Sequence, residues 1–292
     1  MPSGASVTGG GEIGLYLAGR ISAEVALARL LLAGASPDAI AETLASDETP
    51  RGRALLHVVR TRRESLQDLR AMFADVTHET LTAPSGAAVE RIGRMFDRAL
   101  QASPEASVAA YSLGDPAILA DATDEIVAWL GAARLIGPVS DVLDLGCGIG
   151  RVAAALAGRV RSVRGLDVSR AMIDEARRRC MAANVTFAAC SGTDLALVPS
   201  GAFDLVLAVD SFPYLMQAGS AVAERHVADA ARILRPGGAL VILNLSYGGD
   251  PAADIAHAVR WASAYDLAAR VLGDVPFKLW DGRAFVLQQP DP

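Results

Sequence analysis

The chain has 292 residues, of which 52% are hydrophobic and 21% are charged, and its formal net charge is −6. This composition predicts a globular protein with enough length for two modest domains. The acidic balance disfavours general binding to nucleic-acid phosphates, and no apolar run is long enough to cross a membrane. The cysteines are scattered without metal-ligand spacing, so we expect a reduced, cytoplasmic location and no metal site.

The N-terminal third is predicted to be helical after a short tail. Met1–Gly11 consists mostly of Gly, Ser and Ala and lacks the features of a secretion signal, so we expect a disordered tail up to residue 12. Helices are predicted from Ser22 to Gly34 and from Pro37 to Leu44. Two longer helices follow, with apolar residues at helical spacing: Leu55, Leu56, Val59, Leu66, Leu69 and Met72 in the first, and Val89, Ile92, Met95, Phe96 and Leu100 in the second.

The two short helices have the order of a DNA-reading helix-turn-helix. The second of them offers Asp38 and Glu42 where such a motif needs positive side chains. The arginines of Arg51–Arg70 stand beside Glu64 and Asp68, which indicates a solvated helix face with local ion pairs. We therefore expect no nucleic-acid partner.

Beyond Gly114 the pattern changes to alternating strands and helices. The predicted strands are Val142–Leu145, Val163–Leu166, Val185–Ala188, Phe203–Ala208, Ala239–Leu245, Leu267–Leu272 and Ala284–Gln288. A helix capped by Asp115-Pro116 comes first, and the predicted helices between the strands are Arg151–Leu156, Arg170–Cys180 and Glu224–Leu234. This α/β order predicts a mostly parallel sheet between helices, and the Asp281-Gly282 turn predicts a final antiparallel hairpin.

A glycine-rich turn follows the first predicted strand. In Val142–Gly150, three closely spaced glycines let the backbone turn sharply and approach a ligand. Arg151 occupies the position where the dinucleotide fingerprint has Gly or Ala, which disfavours a nicotinamide-dependent oxidoreductase. Asp167 stands 21 residues after Gly146, at the end of the next strand, where a carboxylate can accept hydrogen bonds from ribose hydroxyls. The pattern favours adenosine recognition over a purely structural turn.

From Tyr111 to Gln289 the chain resembles the class I S-adenosylmethionine (SAM)-dependent methyltransferases. The resemblance rests on Asp144–Gly150, which reads Asp-Leu-Gly-Cys-Gly-Ile-Gly, on Gly165–Ser169 and on later loops. It implies a Rossmann-like, seven-stranded, mostly parallel sheet with an antiparallel last strand, SAM as cofactor and S-adenosylhomocysteine as product. We predict a methyltransferase domain over 105–292, preceded by a helical domain over 13–104 that acts as a lid, cap or dimerisation module.

The resemblance also implies which residues contact the cofactor. Asp144–Gly150 would enclose the methionine end of SAM, and Asp167 would bind the ribose. The family's usual Gly-Asp pair after the third strand is here Cys190-Ser191, so the carboxylate that normally contacts the adenine amino group is absent from its usual position. The full predicted set is Tyr111, Asp144, Gly146, Cys147, Gly148, Gly150, Asp167, Val168, Met172, Gly192, Thr193, Asp194 and Val209.

Some members of this set have a second interpretation. Tyr111 either covers the methionine part of SAM or packs in a core. Met172 either lies against adenine or belongs to a helix core. Asp194 either contacts the cofactor or caps its own loop.

The acceptor is expected beside the fourth strand. Phe203–Tyr214 resembles the family's fourth strand and the loop next to the reactive sulfonium, and it lacks the Asp/Asn-Pro-Pro-Tyr signature of adenine and glutamine methylation. The predicted catalytic residues are Asp210, Tyr214 and His257, whereas His226 is a weaker general-base candidate in a helix that covers the sheet. Other side chains near the fifth strand either line a pocket or pack in the core: Asn244, Tyr247 and Trp261.

These patterns predict methyl transfer from SAM to an oxygen or nitrogen of a small-molecule acceptor in specialised metabolism. The alternatives are a SAM-binding protein that does not methylate, such as a cyclisation catalyst or a regulatory module, and the methylation of a peptide or carrier-bound substrate. We expect no membrane partner, and a homodimer through the N-terminal helices is one interpretation of the helical region.

Overall fold

The computed structural model describes residues 11–74 and 85–291. Most of the expected N-terminal tail therefore lies outside the described residues, and the first helix begins at Glu12. The described residues divide into two compact units: 11–74, 102–119 and 278–281 in the first, and 85–101, 120–277 and 282–291 in the second. The two units interleave along the chain, and the domain border at residue 104 stays a prediction.

Helices dominate the first unit, and two of them begin at the serines expected to open or cap them. Ser22 Oγ accepts a hydrogen bond from the Val25 N–H at 3.1 Å. Ser36 Oγ does the same with the Ala39 N–H at 3.1 Å, and a proline follows at the first helical position. The helices of this unit are α1 (Glu12–Leu17), α2 (Ala23–Leu32), α3 (Pro37–Leu44), α4 (Pro50–Thr61), α5 (Arg63–Ala74) and, after α6 of the second unit, α7 (Pro104–Val108).

The single helix predicted to carry Leu55 through Met72 is wrong, because two helices occupy this stretch. Arg62 leaves helical geometry between α4 and α5, with φ −109° and ψ 20°, and its Nη2 donates to the Leu113 carbonyl at 2.9 Å. Val59 and Leu66, on either side of the break, are both buried and lie two helical turns apart. The apolar period therefore continues across the break and does not reveal it.

A seven-stranded sheet forms the middle of the second unit. Its strands are β1 (Asp141–Leu145), β2 (Ser162–Asp167), β3 (Val185–Ala189), β4 (Phe203–Val209), β5 (Leu234–Leu243), β6 (Ala268–Asp274) and β7 (Ala284–Gln288). The strand order is β3-β2-β1-β4-β5-β7-β6. Pairs among β1 to β5 are parallel, and β7 runs antiparallel to β5 and β6. The predicted α/β fold with an antiparallel last strand is confirmed, as is the pairing of the last two strands.

Strand β4 explains why this sheet is predictable from sequence. Leu205 to Ala208 are completely buried, as expected for a parallel strand that is covered on both faces. Val227, Ile233 and Trp261, from the helices after β4 and β5, belong to the same apolar core. The helices of this unit are α6 (Ser85–Ala102), α8 (Pro116–Ala132), α9 (Arg151–Leu156), α10 (Arg170–Arg179), α11 (Phe212–Ala218), α12 (Ser220–Ile233) and α13 (Pro251–Ala264). Within the described part of the chain, none of the helices combines the length and apolar character that a membrane crossing requires.

Strand β5 differs from its predicted bounds at both ends. It begins at Leu234 instead of Ala239, because its pairing with β4 continues across an irregularity that takes up the Arg-Pro-Gly-Gly turn. It ends at Leu243 because Asn244 adopts a left-handed φ of 66°, which directs the chain out of the sheet. The predicted end at Leu245 was therefore wrong.

In the second unit, two helices lie where no helix was predicted. The loop expected after β4 contains α11, and α13 follows β5. Asp250 caps α13 by accepting hydrogen bonds from the Ala252 and Ala253 N–H groups, and a proline follows it. The same Asp-Pro signal was used for the helix at Asp115, so α13 was predictable. In addition, α12 begins at Ser220, earlier than predicted.

Substitution of Gly165 in β2 would test how tightly this strand packs against Phe187 and Cys147. A Cβ atom at this position would lie 2.6 Å from Phe187 Cδ1 and 2.9 Å from Cys147 Sγ. We expect Gly165→Ala to lower the free energy of unfolding by about 1–3 kcal/mol through overpacking. Gly131→Ala in α8 is the control, because its Cβ would meet nothing within 4 Å and alanine favours a helix by up to about 1 kcal/mol. Urea unfolding should give opposite signs, and equal effects would contradict the packing argument.

Candidate functional site

The predicted site residues of the second unit gather at the carboxyl ends of the parallel strands. Ligands of open α/β sheets bind at this edge, where the chain turns from strand to helix. Strands β1, β2, β4 and β5 are neighbours in the order β2-β1-β4-β5. The loops that follow them therefore lie side by side.

The loop after β1 depends on glycine at three positions. The backbone φ values of Gly146, Gly148 and Gly150 are 73°, 51° and 77°, which residues other than glycine rarely adopt. A Cβ on Gly146 would lie 2.2 Å from Ser211 Cβ. The N–H groups of Gly146 and Cys147 both donate to the Leu166 carbonyl, at 2.7 and 3.0 Å, so the turn is anchored to β2.

Asp167, at the end of β2, is buried beside this loop. Its Oδ2 accepts a hydrogen bond from the Gly148 N–H, and its Oδ1 accepts one from the Ser169 N–H, both at 2.9 Å. Burial raises the pKa of Asp167, whereas these hydrogen bonds oppose the rise. Each carboxylate oxygen has two lone pairs, so both retain acceptor capacity for a ligand.

Asp144 is the second buried carboxylate of the site. It is 2% exposed, and its Oδ2 has no hydrogen-bond partner among the described residues. Burial raises its pKa to about 7; the charge of Arg151 opposes this rise and that of Asp167 adds to it. A buried carboxylate without full compensation is costly unless a cation or donor pairs with it. The loop therefore suits a ligand that brings a positive charge.

The raised pKa of Asp144 predicts a pH-dependent effect on stability. An unfolded aspartate has a pKa near 3.9, and the folded value is about 7, so the protein without ligand loses stability as the pH rises between them. Asp144→Asn removes this loss. We therefore expect the free energy of unfolding of the variant, minus that of wild type, to be about 1–4 kcal/mol larger at pH 8 than at pH 5.

Urea unfolding at pH 5 and pH 8 measures this difference. Asp141→Asn is the control, because hydrogen bonds with Arg161 and Ser162 hold the pKa of Asp141 well below its usual range. This variant should lose stability at both pH values. A stability difference between Asp144→Asn and wild type that does not change with pH would contradict the prediction.

The loops after β2 and β3 meet at the expected adenine end. Gly192 has a φ of 68°, and a Cβ on it would lie 2.3 Å from Val168 Cγ1. Met172 is 1% exposed, which favours its helix-core interpretation. Asp194 Oδ1 accepts a hydrogen bond from the Ala196 N–H at 3.1 Å, as a loop cap does. Thr193 Oγ1 donates to Ser191 Oγ at 3.0 Å.

Helix α6 contributes to this end, which the sequence did not predict. A Cβ on Gly192 would also lie 2.7 Å from Val89 Cγ1. Ser169 Oγ donates to Asp97 Oδ1 at 2.5 Å. The pKa of Asp167 is raised chiefly by burial, and the charge of Asp97 raises it further. The apolar period of α6 predicted a buried face but not the surface that covers it. Asp97, an acid that directly follows the apolar Met95 and Phe96, was the available signal.

The acceptor end contains Asp210 and two tyrosines. Asp210 Oδ1 accepts hydrogen bonds from Asn244 Nδ2 at 2.7 Å and from Tyr247 Oη at 3.0 Å. The ring of Tyr214 lies edge-on to Tyr247, with 5.8 Å between centroids, and to Phe96 at 4.8 Å. Asp210 and Tyr214 are therefore brought together, along with Asn244 and Tyr247 from the loop after β5. Val209 is the last residue of β4, directly before this cluster.

The two candidate histidines of the second unit make contacts within their own helices. His257 Nδ1 is 3.0 Å from the Ala253 carbonyl of its own helix α13, and its ring lies against Trp261 at 5.4 Å. His226 is buried, its Nδ1 is 2.9 Å from the Val222 carbonyl, and burial lowers its pKa. This environment favours the packing interpretation of His226. A catalytic role for His257 stays a prediction.

Tyr111 belongs to the first unit. It is buried in a short 3₁₀ helix, Ala110–Ser112, and its ring stacks on Trp280 with 5.7 Å between centroids. This burial and this ring contact support the core-packing interpretation of Tyr111. The contact between Tyr111 and SAM that the resemblance implies stays a prediction.

Comparison with known proteins identifies the region that carries this site. Residues 142–238 match the family model described as a methyltransferase domain. The chain carries a class I SAM-dependent methyltransferase domain. This stretch of the methyltransferase domain includes the glycine loop, Asp167, Gly192 and Asp210.

Curated relatives align with this chain beyond residues 142–238. Demethylmenaquinone methyltransferase of Tropheryma whipplei is 31% identical over 160 residues, which are 53% of this chain and 59% of that protein. The chain thus spans less than two thirds of that relative's length. O-methyltransferase cnsE of Penicillium expansum is 28% identical over 68% of this chain and 71% of its own length. The solved structure of the 4+2 cyclase SpnF has a TM-score of 0.50 at 16% identity, covering 73% of this chain and 99% of that one, and supports the fold alone.

The residues present fit SAM, the cofactor of this family. SAM brings a primary ammonium, a sulfonium and two ribose hydroxyls. The Oδ2 of Asp144, without a hydrogen-bond partner among residues 11–74 and 85–291, suits a positive group or a donor. The buried Asp167 suits hydroxyl donors. The left-handed glycines leave the loop after β1 without side chains that would obstruct a ligand.

Proposed function

We propose that this chain transfers the methyl group of SAM to an oxygen or nitrogen of a small-molecule acceptor. The observation that carries the proposal is the Oδ2 of Asp144, which has no hydrogen-bond partner in the described part of the chain and is buried beside a loop of left-handed glycines. Asp210 follows β4, the strand next to β1, so an acceptor group there would be a neighbour of the same loop. The O-methyltransferase named among the relatives supports oxygen as the acceptor atom.

The roles follow from the positions of the residues. In this proposal Asp144 and the glycine loop bind the methionine end, Asp167 binds the ribose hydroxyls, and Val168 with Gly192 borders the adenine. The sulfonium of SAM supplies a methyl group that is already activated. The remaining work of the protein is to align the acceptor in line with the methyl group at about 3 Å and to exclude water. Burial of Asp144 and Asp167 supports such a dry site.

Calorimetry with SAM and a product assay test the proposal together. We expect SAM to bind with micromolar affinity, and S-adenosylhomocysteine to form when isotopically labelled SAM is added with a host-cell metabolite extract. Absence of SAM binding to the intact chain would overturn the proposal. Binding without formation of S-adenosylhomocysteine would indicate a SAM-binding protein that does not methylate. If the isotopic label from SAM appears in protein and not in small molecules, the result would favour a peptide or carrier-bound acceptor.

Other properties remain part of the proposal. A role in specialised metabolism, a cytoplasmic location and a homodimer through the N-terminal helices are consistent with the sequence patterns, but they rest on those patterns alone. Size-exclusion chromatography with light scattering tests the dimer, and a monomeric mass would remove it.

A further inference from the structure

Two residues at neighbouring strand ends share an uncommon backbone geometry. Asp210 directly follows β4 and has a φ of 54°, and Asn244 directly follows β5 and has a φ of 66°. Non-glycine residues are rarely left-handed, and such positions often occur at functional sites. Asp and Asn are among the residues that tolerate this region best. The shared geometry turns both side chains toward one hydrogen bond, between Asn244 Nδ2 and Asp210 Oδ1.

The Asn244 amide is held on both of its ends. Its Oδ1 accepts a hydrogen bond from the Arg283 backbone N–H at 2.9 Å. The backbone N–H of Asn244 donates to the Arg283 carbonyl at 2.8 Å. Its Nδ2 therefore faces the Asp210 carboxylate, which accepts at 2.7 Å. Tyr247 Oη donates to the same oxygen at 3.0 Å. Two donors thus fix the orientation of the Asp210 carboxylate.

The neighbouring tyrosines are unsuited to act as the base themselves. Burial, together with the charge of Asp210, raises the pKa of Tyr214. Desolvation of the Tyr247 hydroxyl, together with the charge of Asp210, raises its pKa well above its ordinary value, although the residue as a whole is 38% exposed. Both phenols therefore stay protonated near neutral pH and act as donors. This leaves the carboxylate of Asp210 as the group of this cluster that can take up a proton.

The surroundings of the cluster indicate the body of the acceptor. Phe96 and Tyr247 each form an edge-to-face contact with the ring of Tyr214. Tyr214 and Leu215 pack against an apolar cluster that contains Ile92. Rings and aliphatic side chains favour an apolar or aromatic body, and the carboxylate favours a hydroxyl that must lose a proton.

We infer that Asn244 and Tyr247 are positioning residues that hold Asp210 as the proton acceptor for methyl transfer to a hydroxyl on an apolar or aromatic acceptor. The inference rests on the proposed function. In the step, the acceptor oxygen forms a bond to the methyl carbon as the carbon–sulfur bond breaks. The electron pair of the broken bond stays on sulfur, and the hydroxyl proton passes to the Asp210 carboxylate. The products are the methyl ether and S-adenosylhomocysteine.

The variants separate positioning from folding. Asn244→Gly removes the amide and keeps a residue that accepts a left-handed φ. Asn244→Asp keeps the backbone preference and replaces the donor by a second carboxylate. Tyr247→Phe keeps the ring and removes the hydroxyl. Asp266→Gly is the matched control, because Asp266 is an exposed left-handed residue with a φ of 54° outside the cluster.

The assay uses 1-naphthol and catechol as hydroxyl probes and 1-naphthylamine as the nitrogen probe. We expect methyl transfer to a hydroxyl probe, with kcat lowered about 10-fold or more by Asn244→Gly and Tyr247→Phe and unchanged by Asp266→Gly. SAM affinity, measured by calorimetry, should stay within about 3-fold in all variants. In Asn244→Asp, the acidic limb of the kcat–pH profile should move to higher pH, because a like charge disfavours the ionised base.

Three results would overturn the inference while leaving the proposed function intact. One is a wild-type chain that binds SAM and methylates only the nitrogen probe or only other components of the extract. Another is unchanged kcat and pH profile in all Asn244 and Tyr247 variants. The third is loss of SAM affinity in parallel with loss of rate, which would indicate a merely structural role. Failure of the wild-type chain to bind SAM would instead overturn the proposed function.

Discussion

Replacement of Asp167 by alanine is expected to weaken SAM binding by about 100-fold or more. The carboxylate is buried and keeps acceptor capacity beside its bonds to the Gly148 and Ser169 N–H groups. Hydrogen bonds to a charged group contribute about 1.5–3 kcal/mol each, and 1.4 kcal/mol corresponds to a factor of ten in affinity. Loss of two ribose hydroxyl bonds therefore suffices for the expected effect. Calorimetry with SAM measures it.

Controls distinguish lost ligand contacts from a distorted loop. Asp167→Asn keeps an oxygen acceptor and should retain more affinity than Asp167→Ala. Asp194→Ala removes an acid from the neighbouring loop, where Asp194 caps the Ala196 N–H, and should leave affinity within about 3-fold. Thermal unfolding without SAM should show that each variant is folded. If folded Asp167→Ala binds SAM as tightly as wild type, Asp167 is not the ribose ligand.

Asp210→Asn is expected to lower the rate of methyl transfer to a hydroxyl acceptor by about 10²–10⁴-fold. The amide has nearly the shape of the carboxylate but cannot take up the proton. Asp210 hydrogen-bonds to Asn244 and Tyr247 after β4, whereas Asp144 in β1 and Asp167 at the end of β2 are the carboxylates proposed to bind SAM. SAM affinity should therefore change little. Single-turnover assays with labelled SAM measure the rate of the methyl-transfer step.

His257→Ala provides the decisive comparison. The ring of His257 contacts Ala253 and Trp261 on its own helix, so we expect this variant to keep most of the methyl-transfer rate. If His257→Ala loses the rate and Asp210→Asn keeps it, the general base is His257. If both variants keep the rate, transfer proceeds without a general base, as expected for an amine acceptor.

The sheet and the glycine loop were predictable because their signals are local. A parallel strand buried on both faces needs an uninterrupted apolar run such as Leu205–Ala208. The positive φ of Gly146, Gly148 and Gly150 confirms that the spacing of these glycines reflects a backbone requirement. Asp167 was predicted from its distance to the loop, and it now lies within hydrogen-bond reach of Gly148.

The remaining features depend on contacts between distant parts of the chain. Asp210 and Asn244 are far apart in sequence, and their hydrogen bond depends on β4 and β5 being neighbours and on two left-handed residues at their ends. The apolar period of α6 shows that one face is buried, but it does not indicate that Val89 lies at Gly192. Helix α11 was missed because its stretch was assigned by resemblance to a loop.

The interleaved order of the two units has a consequence for recombination between related chains. Residues 85–101 belong to the second unit although the first unit provides the segments on either side of them. A crossover at residue 104 would therefore exchange α6 together with the preceding helices and would replace Val89 and Asp97, which contact Gly192 and Ser169. A crossover at residue 84 would keep them. Chimaeras made at these two points would inherit the same methyltransferase strands but different walls around the adenosine end of the site.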